Sequence, residues 1–436
     1  MPDLKLLFLQ MIVILVAARL MTVASRFVGQ PPVAGEMLAG ILLGPSLLGR
    51  ISATAMNGLF PPTGLGPLYA LSQLGLVLFM FLVGLEVWPR EARPSARAVV
   101  LTSQASIVAP FLFGGTLAWI VYPQVQTGAS RCLFVLFVGS AVSVTAFPVL
   151  ARILADRKLT NTRVGTIAIS CAAVDDVTAW ILFAIITVLA RPESHNTALT
   201  WHFTILAFYI LAMLFIVRPV LRRLFPADRP LGPGYFGIAM IFLLVSVYAT
   251  EALSVHALFG AFLAGAVMPK EGCLEAEFRR HLEFVTLAIL LPLFFAYTGM
   301  RTSFGLLNNA WAWLLCGLIL LVAVASKFLV SAACVRASGM PWRESLSVGA
   351  LVNTRGLVEL VILNAGLDLH ILSPSLFSMM VIMAVATTLM TAPLLDLILP
   401  PSCRVAMTAK VLGQRTWSPV APSRDRVASS QVLRMG

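Results

Sequence analysis

The chain has 436 residues, of which 59% are hydrophobic and only 11% are charged, and its formal net charge is +12. A soluble globular protein carries about 25% charged residues, so this composition excludes an ordinary soluble fold and indicates a surface that faces lipid. The positive charge does not indicate nucleic-acid binding, because basic residues collect in the cytoplasmic loops of membrane proteins.

Apolar segments recur from one end of the chain to the other, most of them long enough to cross a hydrocarbon layer about 30 Å thick as helices. Thirteen spans are predicted, at residues 5–24, 31–48, 66–86, 98–121, 132–155, 164–190, 202–221, 235–252, 255–269, 282–300, 309–335, 347–366 and 374–398. Residues 1–400 are therefore predicted to form an all-α transmembrane domain, and residues 401–436 a short basic cytoplasmic tail.

The basic residues outside the spans predict the orientation of the chain. Loops after odd-numbered spans and the tail hold 22 Lys and Arg residues, whereas loops after even-numbered spans hold 4. Because positively charged loops stay in the cytoplasm, the amino terminus is expected outside and the carboxyl terminus inside. We therefore expect a multi-pass protein of the cell membrane.

Two of the predicted spans are interrupted. Span five contains "SVTAFPVLAR", with Pro148 in the middle, and span twelve contains "LVNTRGLVEL", with Gly356 in the middle. Proline removes a backbone donor and disfavours helix at the residue before it. Since the two interruptions are seven spans apart, spans 1–6 and 8–13 are predicted to be two inverted repeats joined by span seven. Paired interruptions of this kind point to a transport site where broken helices cross.

An acidic pair is the most unusual feature of the sequence. The stretch "CAAVDDVTAW" places Asp175 and Asp176 inside the apolar run of span six. An ionised acid at mid-bilayer costs about 2.5–3.5 kcal/mol on insertion scales, and two adjacent acids cannot both be ionised cheaply. The pair is therefore suited to hold either a proton or a metal cation, the alternative being a buried pair neutralised by basic partners. Lys327, deep in span eleven, is the natural partner of one acid, although a purely structural ion pair is also possible.

Oxygen-bearing residues flank both interruptions. Ser143 and Thr145 at the first break offer hydroxyl groups and freed carbonyl oxygens, and Asn353 and Thr354 could serve similarly at the second. Hard alkali cations are bound by oxygens of this sort. These residues are therefore candidate cation ligands.

Three further charged residues within predicted spans, Arg355, Glu359 and Glu36, are candidate site residues. Arg355 and Glu359 are spaced i and i+4 at the second break, and we interpret them mainly as a mutual pair that neutralises the ends of broken helices. Glu36 lies in a glycine-rich second span, where it either completes a packing network or lines the pathway. In that span the spacing of Gly40 and Gly44 allows close helix approach.

Five quoted stretches together resemble one known family. "VAGEMLAGILLGPSLLG", "FMFLVGLEV", "SVTAFPVLARIL", "AVDDVTAW" and "VNTRGLVELVILNAGL" are similar to the monovalent cation:proton antiporter-2 family, over spans two to thirteen. That family contains bacterial sodium/proton exchangers, Kef-type potassium efflux systems and plant cation/proton exchangers. The tail of about 36 residues lacks the glycine-rich phosphate fingerprint of Kef-type regulatory domains, which counts against ligand-gated potassium efflux.

The resemblance implies a sodium/proton antiporter-like fold and specific residue roles. Asp176 would bind an alkali cation and a proton in turn, Asp175 would pair with Lys327, and Thr145 would lie beside the ion. Family members form homodimers through a scaffold, here spans 1–3 and 8–10, while a core, here spans 4–6 and 11–13, moves. An aspartate pair with the lysine is associated with electrogenic exchange in relatives.

The predicted function is secondary active exchange of Na⁺ or K⁺ for H⁺ by alternating access, without a cofactor. Two alternatives are a Kef-like potassium efflux carrier and a channel-like or symporting carrier without strict proton exchange. An enzyme is not expected, because an intramembrane aspartyl protease needs its two acids on separate helices and adjacent acids diverge. A non-catalytic scaffold is disfavoured by the cost of so many buried charges.

Overall fold

The computed structural model describes residues 4–30, 32–61, 64–86, 96–125, 127–160, 162–190, 196–225, 232–253, 256–269 and 274–399. Within these ranges every regular element is a helix, as the composition predicts, and the predicted tail at 401–436 lies outside them. The helices up to residue 190 are α1 (Leu4–Phe27), α2 (Pro32–Leu43), α3 (Leu48–Ile51), α4 (Ala53–Leu59), α5 (Leu65–Glu86), α6 (Ala96–Val121), α7 (Arg131–Ser143), α8 (Phe147–Asp156) and α9 (Arg163–Leu189).

The helices after residue 190 complete the fold. They are α10 (Asn196–Ala212), α11 (Arg218–Leu224), α12 (Pro233–Ala252), α13 (Ala257–Val267), α14 (Leu274–Val285), α15 (Leu291–Arg301), α16 (Ala310–Val324), α17 (Val330–Ala337), α18 (Trp342–Val352), α19 (Leu357–Asp368) and α20 (Pro374–Ile398). Single π-helical turns at Met213–Val217, Thr286–Leu290 and Ala325–Leu329 join α10 to α11, α14 to α15 and α16 to α17 without ending the helix. Short 3₁₀ turns lie at Tyr122–Gln124 and Phe304–Leu306.

Ten helical stretches in the described ranges are long and apolar enough to cross a membrane. They coincide with predicted spans one to four, six to eight, ten, eleven and thirteen. Spans five and twelve are each divided into two helices, and span nine is α13, with only 11 residues. All thirteen predicted segments are therefore helical, whereas the number of membrane crossings stays a prediction.

Helix packing follows two sets of contacts. In one set α2 packs against α1 and α15, and α5 packs against α13 and α15. In the other set α6 packs against α7, α9 and α17, while α18 packs against α9, α17 and α20. Contact between α2 and α20 links the two sets. Large apolar side chains such as Phe208, Phe215 and Tyr248 remain exposed on the outer helices, as expected of a surface that meets lipid.

The glycine-rich second span makes the close approach that its spacing predicts. A Cβ atom on Gly40 would collide with the backbone of Phe295, and one on Gly299 would collide with Gly40 itself. One on Gly44 would meet the Gly299 carbonyl. Here α2 and α15 therefore touch through their backbones, which only residues without side chains permit.

The two interrupted spans cross at their breaks, as predicted. α7 ends at Ser143 and α8 begins at Phe147, with Pro148 in its first turn, where the missing N–H costs no hydrogen bond. The Ala146 amide donates to the Thr354 carbonyl at 3.0 Å, joining the two breaks directly. A Cβ on Gly356 would meet the side chains of Ala146 and Val149, so this close crossing requires glycine.

Candidate functional site at the helix crossover

Asp175 lies at the centre of a hydrogen-bonded cluster of buried side chains. Its Oδ2 atom is 3.4 Å from Lys327 Nζ and 2.5 Å from Thr145 Oγ1. The Ser106 hydroxyl lies 3.0 Å from both carboxylate oxygens. The predicted pairing of Asp175 with Lys327 is therefore present in the structure, and three side chains hold this carboxylate in place.

Lys327 lies on the π-helical turn at Ala325–Leu329, where the extra residue of the wider turn interrupts the regular helix. Its ammonium group donates to the carbonyl oxygens of Ser106 and Ser143 as well as to Asp175. An ammonium group has three protons, so these three acceptors satisfy it fully. A lysine that is entirely buried can stay charged under these conditions.

The carbonyl group of Ser106 is available because of Pro110, which lies inside α6. In a regular helix the N–H of residue 110 would donate to this carbonyl, but proline has no N–H. Lys327 Nζ lies 3.2 Å from the freed oxygen. Sequence reasoning missed both residues, although Thr102, Ser103 and Ser106 form a polar stripe in an apolar helix that could have revealed them.

The four carbonyl groups at the end of α7 have no partner within the helix, and each receives a side chain. The Ser143 hydroxyl donates to the Ser140 carbonyl at 2.7 Å, and Lys327 donates to the Ser143 carbonyl. Arg355 donates to the remaining two, those of Ala141 and Val142. Because helix carboxyl ends carry about −0.5 charge, two buried cations at this end are electrostatically matched to it.

Arg355 and Glu359 form the mutual pair that their spacing predicts. Arg355 Nη1 lies 3.3 Å from Glu359 Oε1, and both side chains are fully buried. The Thr388 hydroxyl, which sequence reasoning missed, donates to the Arg355 carbonyl at 2.6 Å. The pair therefore connects the end of α7 with α19 and α20.

Polar atoms of the two breaks lie between these charged clusters. Thr145 Oγ1 is also 3.1 Å from the Val352 carbonyl, so its single proton can be donated either there or to Asp175. Asn353 is buried, and within the described residues its Oδ1 atom accepts no hydrogen bond. The Thr354 hydroxyl donates to Thr391 Oγ1 at 3.2 Å. Asn353 thus presents a buried carbonyl oxygen of the type that hard cations prefer.

Asp176 is buried on the same helix as Asp175, with only 1% of its surface exposed. Consecutive residues of an α-helix point about 100° apart, so the two carboxylates leave α9 in different directions. Asp176 therefore lies next to the hydrogen-bonded cluster, with its carboxylate pointing in a different direction from that of Asp175.

Cavities open at the two ends of α5. At its carboxyl end, cavities of about 450 and 290 Å³ share Arg152, Glu283 and Leu287. The smaller one reaches Val149, which packs on Gly356 at the crossover. A cavity of about 650 Å³ towards the other end of α5 is lined by two acids, Glu251 and Asp368, among mainly apolar and aromatic residues. The cavities therefore lie towards opposite ends of α5, and the smaller cavity at its carboxyl end reaches the crossover.

Glu36 is the one predicted site residue that the structure does not bring to the crossover. It lies half-buried on α2 and lines the 450 Å³ cavity together with Arg19 and Arg152. Of the two roles considered for it, this position favours the lining of a pathway over a packing network.

Comparisons with known proteins show which family the chain resembles. The transmembrane sodium/hydrogen exchanger family matches residues 12–397. The Na⁺/H⁺ antiporter NhaS4 of Synechocystis sp. is 40% identical over 402 residues, which cover 91% of this chain and 98% of that protein. The K⁺/H⁺ antiporter 1 of Saccharomyces cerevisiae is 30% identical over 415 residues, covering 92% of this chain and 47% of that protein.

Plant relatives and a solved structure extend the comparison. Cation/H⁺ antiporter 17 of Arabidopsis thaliana is 37% identical over 401 residues, covering 91% of this chain. This chain spans about half the length of that plant protein, 49%. The sodium proton antiporter MjNhaP1 of Methanocaldococcus jannaschii shares the fold, with a TM-score of 0.61, 15% identity and coverage of 92% of this chain and 98% of that chain. On the strength of the matched residues and the whole-length relative, this chain belongs to the sodium/hydrogen exchanger family of membrane transporters.

Proposed function

We propose that this protein exchanges Na⁺ or K⁺ for H⁺ across the membrane by alternating access at the Asp175–Asp176 pair. The observation that carries the proposal is a charge imbalance. The buried charged residues in the described ranges are two bases, Lys327 and Arg355, and three acids, Asp175, Asp176 and Glu359. With every group ionised, one negative charge is left over, which a single proton or a single monovalent cation neutralises.

Antiport follows from competition for that one charge. Asp175 is held by Lys327, Thr145 and Ser106. The exchanging role is proposed for Asp176, the acid to which the family resemblance assigns it. A proton on its carboxyl group excludes the cation, and a bound cation excludes the proton. A bare buried charge is costly in the membrane, so only a loaded site crosses readily and the two fluxes are coupled. Asn353, Ser143 and Thr145 are proposed to supply further oxygen ligands to the cation.

The names of the relatives support both parts of this proposal. NhaS4 is named for Na⁺/H⁺ exchange and the yeast relative for K⁺/H⁺ exchange. Carboxylate and carbonyl oxygens bind both ions, and selection depends on fine geometry. These names do not favour the Kef-like or channel-like alternatives, and a member of this family is a transporter, not an enzyme.

Alternating access requires two groups of helices that move against each other. Helix contacts support a core of spans 4–6 and 11–13 and a scaffold of spans 1–3 and 8–10, joined by span seven. The scaffold is proposed to form the homodimer. The cavity of about 290 Å³ at the carboxyl end of α5, which reaches Val149 at the crossover, is then proposed as the cytoplasmic entrance, in line with an outer amino terminus and a cytoplasmic carboxyl terminus.

An Asp176→Asn variant tests the proposed site. In proteoliposomes with an internal pH-sensitive dye, added Na⁺ or K⁺ is expected to move protons in the wild type and not in the variant. Asp396→Asn is the matched control, because this exposed acid on α20 pairs with Arg157 at the surface. Full exchange by Asp176→Asn would refute the assignment, and cation flux without proton movement in the wild type would favour a channel-like carrier.

A further inference from the structure

The cavity of about 450 Å³ at the carboxyl end of α5 has an unusual lining for a cation pathway. Five of its lining residues are arginines, Arg19, Arg26, Arg152, Arg279 and Arg280, and two are acids, Glu36 and Glu283. Arg152 also pairs with Asp156 at 3.4 Å on an exposed surface. With Asp156 counted against Arg152, the five bases still outnumber the three acids by two, so the cavity attracts an anion more strongly than a cation.

The same cavity has an apolar wall. Phe284, Leu287, Ala288 and Leu291 line it alongside the arginines, and Phe284 is 76% exposed. These residues continue from α14, an amphipathic helix whose Phe278 and Leu282 are buried while Arg280 and His281 are exposed. Guanidinium groups beside an exposed apolar surface at the end of a membrane helix match a phosphate headgroup with its acyl chains.

The arginines come from both sets of helices described above. Arg19 and Arg26 lie on α1, and Arg279 and Arg280 lie on α14, which packs against α5. Arg152 lies on α8, which packs against α9. A doubly liganded phosphate at this place would bridge the scaffold and the moving core.

We infer that this cavity binds the headgroup of an anionic phospholipid, and that the bound lipid slows exchange by holding the core against the scaffold. The inference rests on the proposed function only for its second part, since lipid binding can be measured without transport. The phosphate group is assigned to a lipid rather than to free phosphate, because the cavity has an apolar wall that acyl chains can contact.

Lipid retention tests the binding part. Native mass spectrometry of the full chain, purified with phosphatidylglycerol or phosphatidylcholine, is expected to show retained phosphatidylglycerol. Arg19→Gln and Arg280→Gln are each expected to weaken retention about tenfold, the loss of one charge-assisted contact. Arg223→Gln is the control, because it removes one exposed arginine that does not line the cavity.

Exchange rates in vesicles test whether the bound lipid slows exchange. Phosphatidylglycerol is expected to slow the wild type and Arg223→Gln severalfold relative to phosphatidylcholine alone, and to slow Arg19→Gln and Arg280→Gln much less. The control also corrects for the negative surface potential that this lipid creates, which concentrates cations for every variant alike.

Four results would overturn the inference. Equal retention of phosphatidylglycerol by all variants would refute the site. An unchanged exchange rate despite retained lipid would refute the proposal that the lipid slows exchange. Stabilisation of the purified chain by inorganic phosphate, with no preference for phosphatidylglycerol, would refute the lipid assignment. Loss of retention in Arg223→Gln would show a nonspecific charge effect. Absence of exchange in every lipid with retention intact would instead count against the proposed function.

Discussion

At the scale of single residues, the site depends on matching each buried polar atom with a partner. Lys327 is tolerated in the membrane because one carboxylate and two backbone carbonyls accept its three protons. One of those carbonyls, that of Ser106, is free to accept from Lys327 only because Pro110 has no N–H to donate to it. A charge inside the membrane is thus stabilised by defects in the surrounding helices.

Ser106→Ala is expected to weaken the hold on Asp175. The Ser106 hydroxyl has one proton, which it can donate to the Asp175 carboxylate at 3.0 Å or to the Ser103 carbonyl at 2.8 Å. The substitution removes this donor but keeps the backbone carbonyl that receives Lys327. We expect a loss of about 1–2 kcal/mol of stability and a changed apparent cation affinity, measured by thermal unfolding and vesicle exchange. Ser103→Ala is the control, since its hydroxyl bonds only to the Val100 carbonyl of its own helix. Equal effects of the two variants would contradict the role given to Ser106.

The buried ion pair is expected to be strongly coupled. Lys327→Met leaves Asp175 as an uncompensated buried charge, so we expect it to destabilise the protein by about 3–5 kcal/mol. Asp175→Asn in the same chain removes that charge and is expected to restore part of the stability. A double-mutant cycle on thermal unfolding in detergent measures the coupling. Strict additivity of the two substitutions would show that the pair does not interact.

At the scale of helices, the breaks create the site and the fold has to neutralise them. The carboxyl end of α7 exposes four carbonyl groups, which Ser143, Lys327 and Arg355 satisfy between them. An interrupted span therefore requires charged residues elsewhere in the chain. This explains why the buried bases of the described residues cluster at the crossover.

The backbone contact between α2 and α15 is expected to be intolerant of added volume. In Gly40→Ala the new methyl group meets the Phe295 backbone, so the helices must separate, at a cost of about 1–3 kcal/mol. Gly317→Ala is the control, because a Cβ there has no neighbour within 4 Å. Thermal unfolding of the two variants measures the difference, and a neutral Gly40→Ala would mean that the helices are not in contact as described.

At the scale of the whole molecule, function depends on access from two sides. Cavities lie towards opposite ends of α5, and a basic one faces the predicted cytoplasmic side. The two sides therefore differ in charge as well as in position.

Cysteine labelling tests which cavity faces which side. In a chain without its native cysteines, Ala151→Cys lines the cavity near the crossover and Val247→Cys lines the opposite cavity. A membrane-impermeant thiol reagent is expected to label Ala151→Cys in inverted vesicles and Val247→Cys in intact cells. The reverse pattern would overturn the predicted orientation.

The sequence by itself was sufficient for the membrane class, the helical segments, both breaks, the pair Arg355–Glu359 and a pairing of Lys327 with one of the two aspartates, whereas the choice of Asp175 came from the family resemblance. Those features follow from hydrophobic length, from proline and glycine chemistry and from the cost of charge in lipid, all of which are properties of local sequence. Only the tertiary structure identified Ser106 and Thr388, placed Glu36 at a cavity and brought five arginines around it. These contacts join residues far apart in the chain, so they depend on which helix faces pack together, and hydrophobic patterning does not specify that packing.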